Sequence, residues 1–116
     1  MTDLEISKAL ALAIGWESDL VVDKGTRIVC HISFLQAREF DYRDWNIIGP
    51  IAARLNCFPV RYGQTWTAWD AATGCEAKAD TPQKAIALAV IAISYAQKER
   101  EGYETAIALA VIGAKT

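Results

Sequence analysis

The sequence predicts an α+β fold, an α/β sandwich in which helices cover an antiparallel sheet built from a β-hairpin and a three-stranded meander. Apolar residues recur at helical spacing in three stretches, one near each end of the chain and one in its middle. Short runs rich in β-branched and aromatic residues lie between them, separated by glycine-containing turns, as is typical of antiparallel strands. The length of 116 residues fits a single domain spanning residues 1–116.

The first helix is predicted at residues 3–15. Thr2 and Glu5 have the spacing of a capping box, in which a hydroxyl caps the helix and a carboxylate follows three residues later. Gly15 follows the last apolar position and is a natural helix stop. The apolar positions between them are Ile6, Leu10, Ala13 and Ile14.

Residues 19–23 and 26–32 are predicted to form a β-hairpin around a turn at Lys24 and Gly25. From residue 33 to residue 41 no periodicity holds, so we expect a loop there.

A second helix is predicted from Asp44 to Asn56, where the apolar residues fall on one face. Pro50 conflicts with this helix, because a proline in a helix interior removes a backbone hydrogen bond and clashes with the previous turn, at a cost of about 3 kcal/mol. Either the helix begins near Asn46, so that the proline lies close to its first turn, or it is kinked at Gly49 and Pro50.

Three more strands are predicted to form the meander, with tight glycine-containing turns between them. They cover residues 57–62, 66–71 and 75–80. A third helix is expected from Pro82 to about Gln97, with Thr81 as its cap, because a proline at the first helical position loses no hydrogen bond.

The seven-residue block AIALAVI occurs twice, at Ala85–Ile91 and at Ala106–Ile112. On a helix, the first copy and the residues after it place large apolar side chains on two opposite sides. One side carries Ile86, Val90 and Ile93, and the other carries Leu88, Ile91 and Tyr95. A helix that is apolar all round is a buried helix, so this one needs a cover on each side.

The second AIALAVI copy can cover the other apolar side of this helix, and two arrangements of the chain would bring it there. If Gly102 turns the chain, the block folds back as an extra C-terminal helix against the first copy. If the helix instead runs from Pro82 to about Ala114, it forms a rod roughly 50 Å long whose far end needs a second subunit. The turn is favoured because Glu104 and Thr105 provide a helix cap just after Gly102.

Composition and charge exclude several classes of function. Twelve basic and fourteen acidic residues give a net charge of −2 without a basic run, which makes nucleic-acid binding unlikely. The longest apolar run, Ala85–Ile93, is far shorter than the roughly 20 residues of a membrane span. Three widely spaced cysteines, and acidic residues where a signal peptide is basic, favour the reducing cytosol of a host cell.

No residue is predicted to be catalytic, to bind a cofactor or to ligate a metal. Cys30, His31, Cys57 and Cys75 could in principle form a Cys₃His zinc site, but they lack the short-spaced pairs typical of zinc sites. Neighbouring residues on a strand also point to opposite faces, so Cys30 and His31 are not expected to share a site. The cysteines are expected to behave as small buried hydrophobes.

The aromatic residues suggest an interaction surface. Trp66 and Trp69 lie three apart on one predicted strand, so only one of them can join the core while the other faces outward. An outward tryptophan is typical of binding hot spots. The candidate interaction residues are Tyr42, Trp45, Tyr62, Trp66, Trp69, Leu109 and Ile112.

Three stretches of the sequence resemble a family of small bacteriophage proteins, the phage ABA sandwich domain proteins. They are ALAIGW at Ala11–Trp16, YRDWNIIGPIAARL at Tyr42–Leu55 and AKADTPQKAIALA at Ala77–Ala89, within a resemblance that covers roughly residues 3–97. Gly49-Pro50 and the second AIALAVI block depart from the family pattern. The resemblance implies a phage origin and helices covering antiparallel strands, and it carries over no catalytic residue.

These observations lead to two hypotheses. The first is a non-enzymatic phage or prophage accessory protein that binds a host or phage protein, in one form a counter-defence inhibitor of the anti-CRISPR kind. A homodimer through the C-terminal helix is a further expected contact. The alternative is a protein that sequesters a small molecule or nucleotide, with a tryptophan stacking on the ligand and Arg43 or Arg61 nearby.

Overall fold

The computed structural model describes residues 1–33, 35–70 and 73–97, which form the predicted α+β fold. The helices are α1 (Asp3–Ala13), α2 (Trp45–Leu55) and α3 (residues 82–97), with a short 3₁₀ helix at Ser18–Leu20. The strands are β1 (Val21–Asp23), β2 (Ile28–Ser33), β3 (Gln36–Glu39), β4 (Cys57–Tyr62), β5 (Thr65–Asp70) and β6 (Glu76–Ala79). The expected C-terminal helix and the turn at Gly102 lie outside the described residues.

The strands form two antiparallel sheets, with strand orders β1-β2-β3 and β4-β5-β6. The predicted hairpin and meander are confirmed, but the loop predicted for residues 33–41 is wrong, because β3 lies there and pairs with β2. All four side chains of β3 are exposed, so the segment has no alternation of buried and exposed residues that would indicate a strand. Pro59 lies within β4, an edge strand of the second sheet.

Both ends of α1 follow the sequence signals, although the helix ends at Ala13 rather than Gly15. The Thr2 hydroxyl oxygen accepts a hydrogen bond from the Glu5 amide at 3.2 Å. Gly15 has a φ of +106°, and the amide of Trp16 donates to the carbonyl of Ala11. This is the six-to-one hydrogen bond of a glycine-terminated helix.

Helix α2 begins at Trp45, with the Asp44 carboxylate accepting from the Asn46 amide at 2.9 Å. This start is close to Asn46, where the first of the two alternatives from the sequence begins the helix. Pro50 is nevertheless the sixth helical residue, so it lies beyond the first turn. The proline cannot donate to the carbonyl of Asn46, four residues earlier, as an ordinary residue would. The helix ends at Asn56, whose φ of 51° is left-handed.

The core lies between the helices and the inner faces of the sheets. In α3 the predicted side of Ile86, Val90 and Ile93 is buried. The opposite side is divided, because Ile91 is buried whereas Tyr95 is 61% exposed. Thr81 caps the helix as predicted, its hydroxyl oxygen accepting from the amide of Lys84 at 3.2 Å. The buried apolar residues from the other elements include Ile6, Leu10, Ala11, Ile28, Cys30, Ile48, Ala52, Cys57 and Ala68.

The segment that leads into α2 connects this helix to α1 through Tyr42 and to α3 through Arg43. The side chain of Tyr42 is 2% exposed, its amide donates to the Ser7 hydroxyl oxygen at 3.1 Å, and its phenol donates to the Asp3 carboxylate. Arg43 contacts the same carboxylate at 3.4 Å, and its carbonyl accepts from the Gln83 side chain at 3.3 Å. Residues of α1, the α2 entrance and α3 therefore share one polar cluster.

We expect Pro50→Ala to stabilise the protein. The substitution restores the hydrogen bond to Asn46 and relieves the clash with the preceding turn, effects worth up to about 3 kcal/mol. Replacing proline also gives the unfolded chain more conformational freedom, which offsets roughly 0.4–1 kcal/mol of this gain in the free energy of unfolding. Urea unfolding should give a free energy of unfolding about 1–2 kcal/mol above wild type, and a decrease would contradict the strain inferred for α2.

We expect Tyr42→Phe to lower the free energy of unfolding by about 1 kcal/mol at pH 7, because it removes a part-buried hydrogen bond from the phenol to the charged Asp3 carboxylate. Tyr95→Phe, at an exposed position, is the matched control and should change stability by less than about 0.5 kcal/mol. Equal effects of the two substitutions in urea unfolding would contradict the role assigned to Tyr42.

The comparison of wild type with Tyr42→Phe also tests how the stability contributed by this hydrogen bond depends on pH. Burial and the Asp3 carboxylate raise the pKa of Tyr42 above its ordinary value of 10.0. The unfolded chain therefore releases this proton at a lower pH than the folded one does, and stability falls as pH rises above 10. The stability advantage of wild type over Tyr42→Phe should narrow from pH 9 to pH 11, and a constant difference would exclude this linkage.

Candidate interaction surface

The outer face of β4 and β5 carries a cluster of exposed apolar side chains. Phe58 pairs directly with Trp69 in the sheet register, so the two side chains lie on the same face, and Val60 and Tyr62 share that face by alternation along β4. The exposed fractions are 55% for Phe58, 44% for Val60, 67% for Tyr62 and 50% for Trp69. We call these four residues the aromatic face.

Polar residues border the aromatic face. Glu76 on β6 lies opposite Trp69, and Lys78 lies opposite Thr67, so the strand beside the aromatic residues contributes one charge of each sign. Each of the three half-exposed aromatic side chains leaves on the order of 100 Å² accessible and Val60 leaves less, so the four residues together offer roughly 350 Å². The largest apolar patch on a typical monomer has about this area and is often functional, so this polar-rimmed patch is a candidate interaction site.

The inner face of the same sheet packs on the core. Cys57 and Ala68 are fully buried there, and Trp66 packs partly buried against the core. The guanidinium of Arg61 lies 6.0 Å from the centre of the Trp66 ring, and the Arg61 Nε donates to the Gly63 carbonyl at 2.9 Å. Trp66 and Trp69 thus face opposite sides of β5, as their spacing predicts, and the structure shows that Trp69 is the outward one.

The remaining candidate residues fall in different places. Tyr42 is buried among the helices, so its place in an exterior surface was wrong; its phenol hydrogen-bonds to Asp3 rather than to a partner. Trp45 is 50% exposed but belongs to the first turn of α2. Leu109 and Ile112 lie outside the described residues.

Sequence reasoning missed Phe58 and Val60, although the signal was present. In CFPVRY the alternation places Phe58, Val60 and Tyr62 on one face and Cys57 on the other. Once Cys57 is assigned to the core, the three larger residues must face outward. An outward apolar set of this kind opposes the usual pattern, in which the polar residues of a strand face water.

The cysteines and the histidine do not converge. Cys30 and Cys57 are buried, Cys75 is partly buried, and His31 is half-buried. Among the described residues no group of three or more histidine, cysteine or acidic side chains is placed to hold a metal ion. Burial, with a smaller contribution from the charge of Asp70, raises the pKa of Cys57 to about 11, and burial also raises the pKa of Cys30. Both thiols are therefore protonated at neutral pH and poorly nucleophilic.

Neither a known family model nor any curated protein matches this sequence. The similarity to the phage family therefore depends on the three stretches quoted from the sequence. Within the part of the chain that the structure describes, no helix has both the length and the apolar character needed to cross a membrane.

We expect Cys75 to react first with a thiol reagent in the folded protein. Cys30 and Cys57 are 1% and 0% exposed, and their raised pKa values keep the thiolate fraction low even at pH 8.5. Peptide mapping after brief alkylation should find the label mainly on Cys75, and all three cysteines should label in denaturant. Labelling of Cys57 as fast as Cys75 would contradict its burial.

Proposed function

We propose that this protein acts by binding another protein through the aromatic face. The supporting observation is the exposure of Phe58, Val60, Tyr62 and Trp69 together on one side of a sheet whose other side is packed on the core. Exposed tyrosine and tryptophan are the residues most enriched at binding hot spots. A rigid sheet holds them in place before binding, so little conformational entropy is lost on association.

The aromatic face suits a protein partner better than a nucleotide. Small ligands bind in concave pockets that bury most of their surface, whereas the four apolar side chains lie side by side on a sheet with acidic and basic residues at the margin. The arginine and tryptophan side chains that could hold a nucleotide instead contact other side chains of this protein. Arg61 lies over Trp66, and Arg43 is bonded to Asp41 at 2.9 Å.

The proposed setting is the cytosol of a bacterial host. The resemblance to small phage proteins suggests a phage or prophage accessory protein whose partner is a host or phage protein. Inhibition of a host defence complex, as anti-CRISPR proteins do, is the specific form that we propose. Such inhibition needs a surface that binds another protein, and the aromatic face offers one.

Trp69→Ala should weaken partner binding at least tenfold, because it removes the largest side chain of the aromatic face. Trp45→Ala is the matched control, since Trp45 has the same 50% exposure on a different element, and it should bind within about twofold of wild type. The tagged full-length protein would be used to isolate partners from a bacterial lysate, followed by titration of each retained protein against both variants.

Three outcomes separate the possibilities. Retention of a partner that Trp69→Ala loses and Trp45→Ala keeps would support the proposal. Equal loss in both variants, or a folded wild type that retains nothing from infected cells, would contradict it. A rise of several degrees in the melting temperature with millimolar nucleotide, abolished by Arg61→Ala, would favour the nucleotide-binding alternative instead.

A further inference from the structure

A cleft of about 260 Å³ lies between helix α2 and the strands β2 and β3 of the first sheet, on different elements from the aromatic face. Apolar side chains form most of its walls. They belong to Ile14, Trp16, Phe40, Ile47, Pro50 and Ile51. Cys30, Arg38 and Asn46 complete the lining, so a positive charge borders a largely apolar space. We call it the β3 cleft.

Two aromatic residues of the β3 cleft are held by backbone hydrogen bonds. The amide of Trp16 donates to the Ala11 carbonyl at 3.1 Å, in the turn that ends α1. The amide of Phe40 donates to the Ile28 carbonyl at 2.8 Å, which continues the pairing of β3 with β2. Walls that are formed before a ligand arrives are typical of small-molecule sites. Aromatic walls favour an aromatic ligand, because rings attract each other in offset and edge-to-face arrangements.

The register of the first sheet turns Arg38 toward the cleft. Arg38 lies opposite Cys30 in the pairing of β3 with β2, so the two side chains lie on the same face of the sheet. Cys30 is 1% exposed, which identifies that face as the one packed on the core. In residues 1–33, 35–70 and 73–97 no salt bridge includes Arg38. Its guanidinium is therefore able to pair with an anionic group of a ligand.

The volume of the β3 cleft limits the size of a ligand. An apolar cavity of about 150 Å³ accepts a benzene ring. The 260 Å³ of the β3 cleft leave room for one ring and a short acidic chain. Sites for drug-sized ligands measure roughly 300–1,000 Å³, so a single-ring compound fits this cleft better than a nucleotide does.

We propose that the β3 cleft binds a small aromatic carboxylate, with its ring against Trp16 and Phe40 and its carboxylate on the Arg38 guanidinium. The planar guanidinium matches a carboxylate through two parallel hydrogen bonds. A charge that faces inward from an edge strand also discourages pairing with other molecules, but that role involves no aromatic wall. The proposal is independent of the protein partner proposed for the aromatic face, because the two sites share no residue.

Titration with 3-phenylpropionate, followed through the isoleucine methyl signals of the full-length protein, tests this proposal. We expect saturable shifts at Ile14, Ile47 and Ile51, with a dissociation constant on the order of 0.1–1 mM for a ligand of this size. The matched ligand is 3-phenylpropionamide, which has the same shape without the charge. It should bind at least about fivefold more weakly, because it cannot form the charge-assisted hydrogen bonds.

A pair of variants assigns the contribution of the charge to Arg38. Arg38→Gln should weaken binding of the acid at least about fivefold and leave binding of the amide within about twofold of wild type. Arg27→Gln is the matched control, since Arg27 is an exposed arginine in the turn between β1 and β2. This control should bind both ligands as wild type does.

The proposal would be overturned by the absence of saturable shifts up to about 10 mM acid, or by shifts confined to residues outside the cleft. Equal affinity of wild type for acid and amide, or equal weakening in the two variants, would also overturn it. The comparison of acid with amide needs no substitution, so it decides even if Arg38→Gln fails to fold. None of these results bears on the loss of partner binding expected for Trp69→Ala, so the two proposals can fail separately.

Discussion

The hydrogen bond that the Tyr42 phenol donates to the Asp3 carboxylate is the constraint on which the arrangement of the helices depends. The phenol is buried, so it would lack a hydrogen-bond partner without the half-exposed Asp3 carboxylate, which supplies one from α1. The neighbouring contacts of Ser7, Arg43 and Gln83 fix the geometry of this hydrogen bond from α1 and α3. Apolar packing alone would permit the helices to slide, whereas this cluster specifies one registration between them.

With the helices fixed, the second sheet has one side for the core and one side for the exterior. The alternation of β4 sends Cys57 inward and Phe58 outward, and β5 repeats the pattern with Ala68 and Trp69. The same two strands therefore contribute to folding and to the proposed binding surface without competing demands on any single residue. A substitution on the outward side can change binding while leaving the core intact.

The parts of the fold that the sequence predicts well are those governed by local chemistry. Thr2, Gly15 and Thr81 act where capping and left-handed conformations require them, since these effects involve only neighbouring residues. Strand β3 escaped prediction because its pairing with β2 is the only reason for its conformation. No side chain in it is buried, so no pattern in the sequence records that pairing.

The sequence predicts only in part which aromatic side chains are exposed, and the errors have a common cause. Tyr42 was grouped with the exposed aromatics because nothing local shows that Asp3, distant in sequence, supplies a partner for its phenol. Strand geometry predicts that Trp66 and Trp69 face opposite sides of the strand, so either of them could be the outward residue. Choosing between them required knowing which side the helices cover, and that is a tertiary property.

Pro59 limits how a partner can approach the aromatic face. It lies in β4, the edge strand of the second sheet, and lacks the amide hydrogen that an added strand would need. On the other edge, β6 carries Lys78, a residue type that discourages edge-to-edge pairing. Edges of this kind discourage pairing with strands of other molecules, which lowers the aggregation hazard that exposed aromatic residues usually bring. Under the proposed function, a partner would contact the outward side chains and would not add a strand to the sheet.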